Sequence, residues 1–157
     1  MKPYRDIAIL ATAQIACFCL LANLERNFFL VHLYESILYI AILVMLFYME
    51  DRWAYMIGML ASVVWLVLAY ETGILGRAVR RMSELSAADW TANLVGLGAL
   101  VTALLAVLMI VFCRRHWLKE YSGLGKTRRT FFVSLGVVAV YYGTLLLFFW
   151  AMMPNAS

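Results

Sequence analysis

Charged residues along this chain come in short bursts, and the intervals between them are long and apolar. Asp6 and Glu25 bound one interval, Asp89 and Arg114 another, and no charge follows Arg129. Glu50, Asp51 and Arg52 form a tight polar break in the middle of a further apolar region. A helix needs about 20 apolar residues to cross about 30 Å of hydrocarbon. Counting outward from these charges predicts spans at about 7–24, 29–49, 53–73, 90–113 and 130–153. The predicted fold is an all-α integral membrane protein, a compact bundle of five transmembrane helices forming one domain over 1–157. The first two spans are joined by a short turn around Asn23–Asn27. A four-span alternative lays residues 7–24 in the interface, but that run lacks the charged face an interfacial helix needs.

Two connecting segments have patterns of their own. "GRAVRRMSEL", 76–85, sets Ala78, Val79, Met82 and Leu85 against Arg77, Arg80, Arg81 and Glu84. This predicts a short amphipathic helix lying on the membrane. Ser86 and Asp89 then match a capping box for the fourth span. "RRHWLKEYSGLGKTRR", 114–129, reads as a loop carrying Arg114, Arg115, Lys119, Lys126, Arg128 and Arg129. It is expected to lie against anionic headgroups, with bound lipid, at about 1 kcal/mol per basic residue. Either simple topology-setting charge or a docking surface for a cytoplasmic partner accounts for it.

Composition agrees with lipid as the solvent. The 157 residues are 66% hydrophobic and 14% charged, against about 45–50% and about 25% in soluble domains. The same numbers exclude a disordered chain, and no nucleic-acid-binding pattern is present. Basic residues set the orientation. With the N-terminus inside, Lys2, Arg5, Arg52 and the six of 114–129 face the cytoplasm, and Arg26, Arg77, Arg80 and Arg81 face out. The expected location is the cell membrane, multi-pass, N-terminus cytoplasmic and C-terminus outside; compact loops and clean charge bias point to a bacterial inner membrane. Aromatic anchors follow the same division, with Tyr48, Trp53, Tyr55 and Trp117 at one interface and Tyr70, Trp90 and Trp150 at the other. The first apolar run reads as a retained span, because a cleavage point after Ala22 would put Leu20 where a small residue is required.

Several motifs fail on inspection. "GLGKT", 123–127, has Glu120 where a phosphate loop needs glycine, and no strand precedes it. His32 and His116 are the only histidines, and the predicted topology puts them in opposite halves, so one chain does not make a bis-histidine haem site. No cofactor is predicted. "NAS" at 155–157 resembles a glycosylation acceptor by chance of position. Cys17 and Cys19 point roughly 200° apart on a helix and cannot bridge; these and Cys113 read as small packing residues. Ser36, Ser62 and Ser134 have no histidine near them in sequence apart from His32, so no nucleophile constellation is visible.

Small residues repeat at helical spacing in two spans: Ala92, Gly96, Ala99, Ala103 and Ala106, and Ala8, Thr12, Ala16, Cys19 and Asn23. Such stripes let helix backbones approach closely where lipid removes the hydrophobic drive. They serve either packing within the chain or contact with a second subunit. Gln14 lies nearly opposite the first stripe, and its amide requires a hydrogen-bond partner.

The main polar candidate is the second span, where His32, Glu35, Ser36 and Tyr39 share a face. Starting the span after Glu35 would leave too few residues before Glu50 to cross. Glu35 therefore falls inside the apolar layer, at about 2.5–3.5 kcal/mol for an acidic residue at helix centre. It is expected to be protonated, to pair with His32, or to pair with Arg26 or Arg77. Glu71 joins only if the helices tilt together. The set reads as a polar interhelical seam, as a proton-, cation- or quinol-handling site, or, with His32, Glu35 and Glu71 as a marginal ligand set, as a metal site. We expect no resident metal. The leading expectation for function is a non-catalytic subunit or scaffold of a membrane assembly or homo-oligomer. The alternative is a small transporter or proton/redox-coupled protein using the His32–Glu35 pair.

Overall fold

A computed structural model describes residues 4–48, 51–83, 90–121 and 124–152, with backbone alone over 124–126 and 149–152. The described residues are helical, without strands: α1 (Arg5–Leu24), α2 (Phe29–Tyr48), α3 (Asp51–Glu71), α4 (Ile74–Ser83), α5 (Trp90–Glu120) and α6 (Leu124–Met152). All but α4 are long and apolar enough to cross a membrane. Their outward faces carry large apolar side chains, among them Leu20, Val44, Phe47, Leu104, Val107, Val140 and Leu147. Polar groups are turned inward: Gln14, Glu35, Ser62 and Thr102 are buried.

The connections are tight. A 3₁₀ turn, Arg26–Phe28, links α1 to α2, with the Glu25 amide closing on the Leu21 carbonyl at 2.8 Å. Gly73, at φ +70°, ends α3 and starts α4. That left-handed backbone favours glycine, and the Gly73 amide donates to the Tyr70 carbonyl at 2.9 Å.

Two sequence expectations change. The amphipathic helix begins at Ile74, Ala78 is its buried residue, and Val79 is exposed beside Arg80 and Arg81; Leu85 and the Ser86–Asp89 cap lie outside the described residues. The segment after Cys113 is no loop, since α5 runs on to Glu120. Charge ends the apolar part of a helix but not the helix, because Arg, Lys, Leu and Glu are all good helix formers. At about 1.5 Å per residue, the 31 residues of α5 overreach a bilayer core. On its last turns Trp117 faces into the bundle with Cys113, and Tyr55 of α3 is buried too, so neither aromatic lies on the outer surface where an interface anchor is expected. Arg114, Arg115, Lys119, Arg128 and Arg129 are exposed, and the Lys126 side chain lies outside the described residues.

The core is formed by α1, α2, α3 and α5. Ile7, Ala11, Phe18, Tyr39, Ile42, Tyr55, Ala61 and Met109 are all buried there. Three glycines set the closest approaches. A methyl at Gly58 would meet Cys113 Sγ at 3.2 Å, at Gly96 the Ala78 carbonyl at 3.5 Å, and at Gly98 Leu21 Cδ2 at 2.8 Å. The α5 stripe faces inward, with Gly96, Ala99 and Ala106 buried and Ala92 and Ala103 half-buried. The α1 stripe does not: Ala8 is half-buried, and Thr12 and Ala16 are exposed. α6 lies outermost and presents Ser134, Val138, Tyr142 and Leu145 to the bundle. Tyr34 of α2 and Tyr141 of α6 stack at 4.4 Å between centroids. Each hydroxyl donates to the other residue's backbone carbonyl.

Among the helical glycines, a side chain at Gly98 meets the nearest neighbour, the Leu21 side chain. We expect Gly98→Leu to destabilise the bundle by about 1–3 kcal/mol, the usual range for overpacking. Gly136→Leu, on α6 where a side chain meets open space, should stay within about 0.5 kcal/mol. Unfolding in detergent followed by circular dichroism measures both.

Candidate functional site

α2 opens just after the α1–α2 turn, so its first turns face the C-terminal end of α1. His32 sits there between two carboxylates. Its Nε2 is 3.1 Å from Glu25 Oε2 and its Nδ1 is 3.2 Å from Glu35 Oε2. Trp65 Nε1 of α3 donates to the other Glu35 oxygen at 3.0 Å. The His32 ring also stacks on Phe18, 6.3 Å between centroids, and Phe18 packs against Trp65 and Tyr39. Four elements thus enclose one imidazole.

The imidazole has a carboxylate within hydrogen-bonding distance of each ring nitrogen, so a neutral ring donates to one of them and an imidazolium to both. Glu35 is thus neither unpartnered nor dependent on an arginine; Arg26 and Arg77 are exposed and do not reach it.

A second cluster of the same construction lies at the other end of α1. His116 Nε2 is 2.9 Å from Asp6 Oδ2, and His116 Nδ1 is 3.5 Å from Glu120 Oε1. The Tyr55 hydroxyl donates to Glu120 Oε2 at 3.4 Å, and the Tyr55 and His116 rings lie 5.5 Å apart. In both clusters one carboxylate stands at an end of α1, Asp6 in its first turn and Glu25 in the turn just after it, a neighbouring helix supplies histidine and a second carboxylate one turn on, and α3 supplies an aromatic donor.

Between them Gln14 Nε2 donates to the Tyr39 hydroxyl at 3.4 Å and to the Thr102 carbonyl at 3.3 Å. Gln14 Oε1, Ser62 Oγ and Thr102 Oγ1 are buried without a hydrogen bond of ordinary geometry. Ser62 lies beside the Tyr39 hydroxyl and Thr102 beside Cys17.

The predicted set is therefore divided. His32 and Glu35 share the first cluster, and Tyr39 belongs to the midline group with Gln14. Ser36 is taken by its own helix, donating to the Leu33 carbonyl at 2.7 Å. Glu71 is exposed at the end of α3 and makes no hydrogen bond to the cluster, so the His32–Glu35–Glu71 ligand set does not assemble. Among the described residues no group of three or more His, Cys, Asp or Glu is arranged to hold a metal ion. Sequence reasoning missed Glu25, Trp65, Asp6 and Glu120. Glu25 stands two turns before His32, and Trp65 is a mid-span tryptophan whose N–H requires an acceptor; both were readable signals. No family model, curated protein or solved structure matches this chain.

Removing Glu35 leaves an imidazole nitrogen and the Trp65 N–H buried together. Glu35→Leu should cost about 3–5 kcal/mol, the range for stripping one partner from a buried pair. Glu35→Gln retains an acceptor for Trp65 and a donor for His32 and should cost about 1 kcal/mol. Glu71→Gln should leave stability unchanged. Thermal unfolding of the three variants in one detergent distinguishes them.

Proposed function

We propose that this chain is a multi-pass membrane protein that works as a non-catalytic subunit, docking a transmembrane helix of another membrane chain on α1. The carrying observation is the unpartnered α1 stripe. Ala8, Thr12, Ala13 and Ala16 floor an open apolar groove of ≈ 750 Å³, walled by Tyr4, Ile9, Leu43 and Phe47. A floor of small side chains between large walls accepts the ridge of a crossing helix, which is how helices associate in lipid. α6 offers a second such surface, where Gly136 and Gly143 look onto open space. Neither groove touches the histidine clusters, whose polar groups are spent on one another. The apolar exterior supports insertion, with N-terminus cytoplasmic and C-terminus outside by the bias of basic residues.

Thr12 and Ala16 are exposed in the single chain, so enlarging them tests docking without disturbing the core. In mild detergent the wild-type chain should run as a complex, with itself or with a co-purifying membrane protein. Thr12→Leu combined with Ala16→Leu should release a monomer of unchanged thermal stability. Light scattering with protein-only mass determination reads the result, and a wild-type chain that is already a stable, partner-free monomer would overturn the proposal.

A further inference from the structure

Among the described helices α4 alone is too short to cross a membrane, and α5 fixes its place along the bundle. A methyl at Gly96 of α5 would meet the Ala78 carbonyl at 3.5 Å and Arg81 Cβ at 3.7 Å. Just beyond, Gly98 meets Leu21 in the last turn of α1. α4 therefore lies level with the end of α1, and Gly73 ties it to the end of α3. From Gly96 to His116, α5 runs about 30 Å at about 1.5 Å per residue, one thickness of a bilayer core. That sets α4 and the His116 cluster at opposite boundaries of the apolar belt.

The sides of α4 are sorted. Ala78 is buried, and Leu75 and Met82 are half-buried beside it. Arg77, Arg80 and Arg81 are exposed, and at about 100° per residue they share one face. Val79 is exposed on the other flank. Among the described residues none of the three guanidiniums has an ion pair, whereas Asp6, Glu25, Glu35 and Glu120 are engaged by histidine. Glu71, at the end of α3, makes no ion pair with them either. Topology does not call for these arginines, since basic residues gather on the cytoplasmic side and these stand at the other end. The basic residues assigned to that end, Arg26, Arg77, Arg80 and Arg81, are all arginine, while Lys2, Lys119 and Lys126 are assigned to the cytoplasmic end. A guanidinium presents a planar fork of N–H donors that fits phosphate oxygens in pairs.

We propose that α4 binds an anionic phospholipid of the outer leaflet, with the phosphate on Arg77, Arg80 and Arg81 and the acyl chains passing the Val79 flank. The inference rests on the reading of the chain as membrane-inserted with its N-terminus cytoplasmic, and it is independent of the α1 groove. Charge complementarity selects the occupant. Three cations without a carboxylate, beside an exposed apolar flank at headgroup depth, match a molecule that joins an anionic phosphate to hydrocarbon. A free phosphate makes no use of Val79. A zwitterionic lipid brings a cation of its own to the arginines.

Native mass spectrometry of the full-length chain in detergent, titrated with dioleoylphosphatidylglycerol or dioleoylphosphatidylcholine, tests this. The wild-type chain should bind phosphatidylglycerol the more tightly. Arg77→Gln, Arg80→Gln and Arg81→Gln together should remove one bound phosphatidylglycerol at saturation. Arg80→Gln alone, farthest from the Ala78 face and least able to disturb the fold, should weaken that site about fivefold at low salt. Arg114→Gln with Arg115→Gln, at the other end of α5, should leave it unchanged. Circular dichroism melts separate lost lipid from lost fold. Equal binding of the two lipids by the wild-type chain overturns the proposal, and so does wild-type phosphatidylglycerol binding in folded triple and Arg80→Gln variants. Displacement of the lipid by an equal concentration of glycerol phosphate would mark a site for free anions and overturn it as well. A chain soluble without detergent would overturn the membrane reading itself, which the lipid titration leaves untouched.

Discussion

Three polar side chains, two on α1 and one in the turn that closes it, commit that helix to its neighbours. Asp6 meets His116 of α5, Gln14 reaches Tyr39 of α2 and the Thr102 carbonyl of α5, and Glu25 meets His32 of α2. Gln14 is buried, where an unpaired amide is costly, while Asp6 and Glu25 are half-buried and reach half-buried histidines. The three contacts must therefore be met together, and one rotation and one depth of α1 meet them. Apolar packing alone is more permissive, since one Leu or Val face slides over another at little cost. The polar contacts select the register, and close approach at Gly58 and Gly98 then completes it.

The same constraint explains why the outside of the bundle is apolar. Carboxylates and imidazoles that satisfy one another leave the exterior to Leu, Val, Ile and Phe. Burying a charge cluster adds little stability compared with a well-packed apolar alternative, but losing one member of it is expensive. The clusters therefore act chiefly on specificity. α3 serves both ends, placing Trp65 at one cluster and Tyr55 at the other, so its position is tied to both.

Much of this architecture was legible in the charge pattern. Helices are bounded by charges: α2 is described to Tyr48 and α3 begins at Asp51, two residues before the predicted 53, so that Asp51 and Arg52 open the helix. The end of α5 was harder, because Arg114 and Arg115 signal the end of an apolar run while their helix propensity continues the helix. The inward side of His32 and Glu35 followed from helical spacing. Their partners did not, because Glu25 belongs to a turn, Trp65 to another helix, and pairings across helices leave no mark in one sequence. Ser36 shows the limit of face-sharing arguments: it lies on the correct side, and its hydroxyl is satisfied by the Leu33 carbonyl of its own helix. The α1 stripe shows the same limit, since small residues mark a surface made for contact without saying which chain supplies the other side.

The reciprocal tyrosines that join α2 to α6 have a mechanical consequence. Tyr34 and Tyr141 each donate to the other's carbonyl, so the two bonds are formed by the same pair of residues. A slip of α6 by one helical turn, about 5.4 Å, would break both at once and unstack the rings. The outermost helix is thus indexed rather than merely adherent: one register along α2 satisfies both hydroxyls and stacks the two rings.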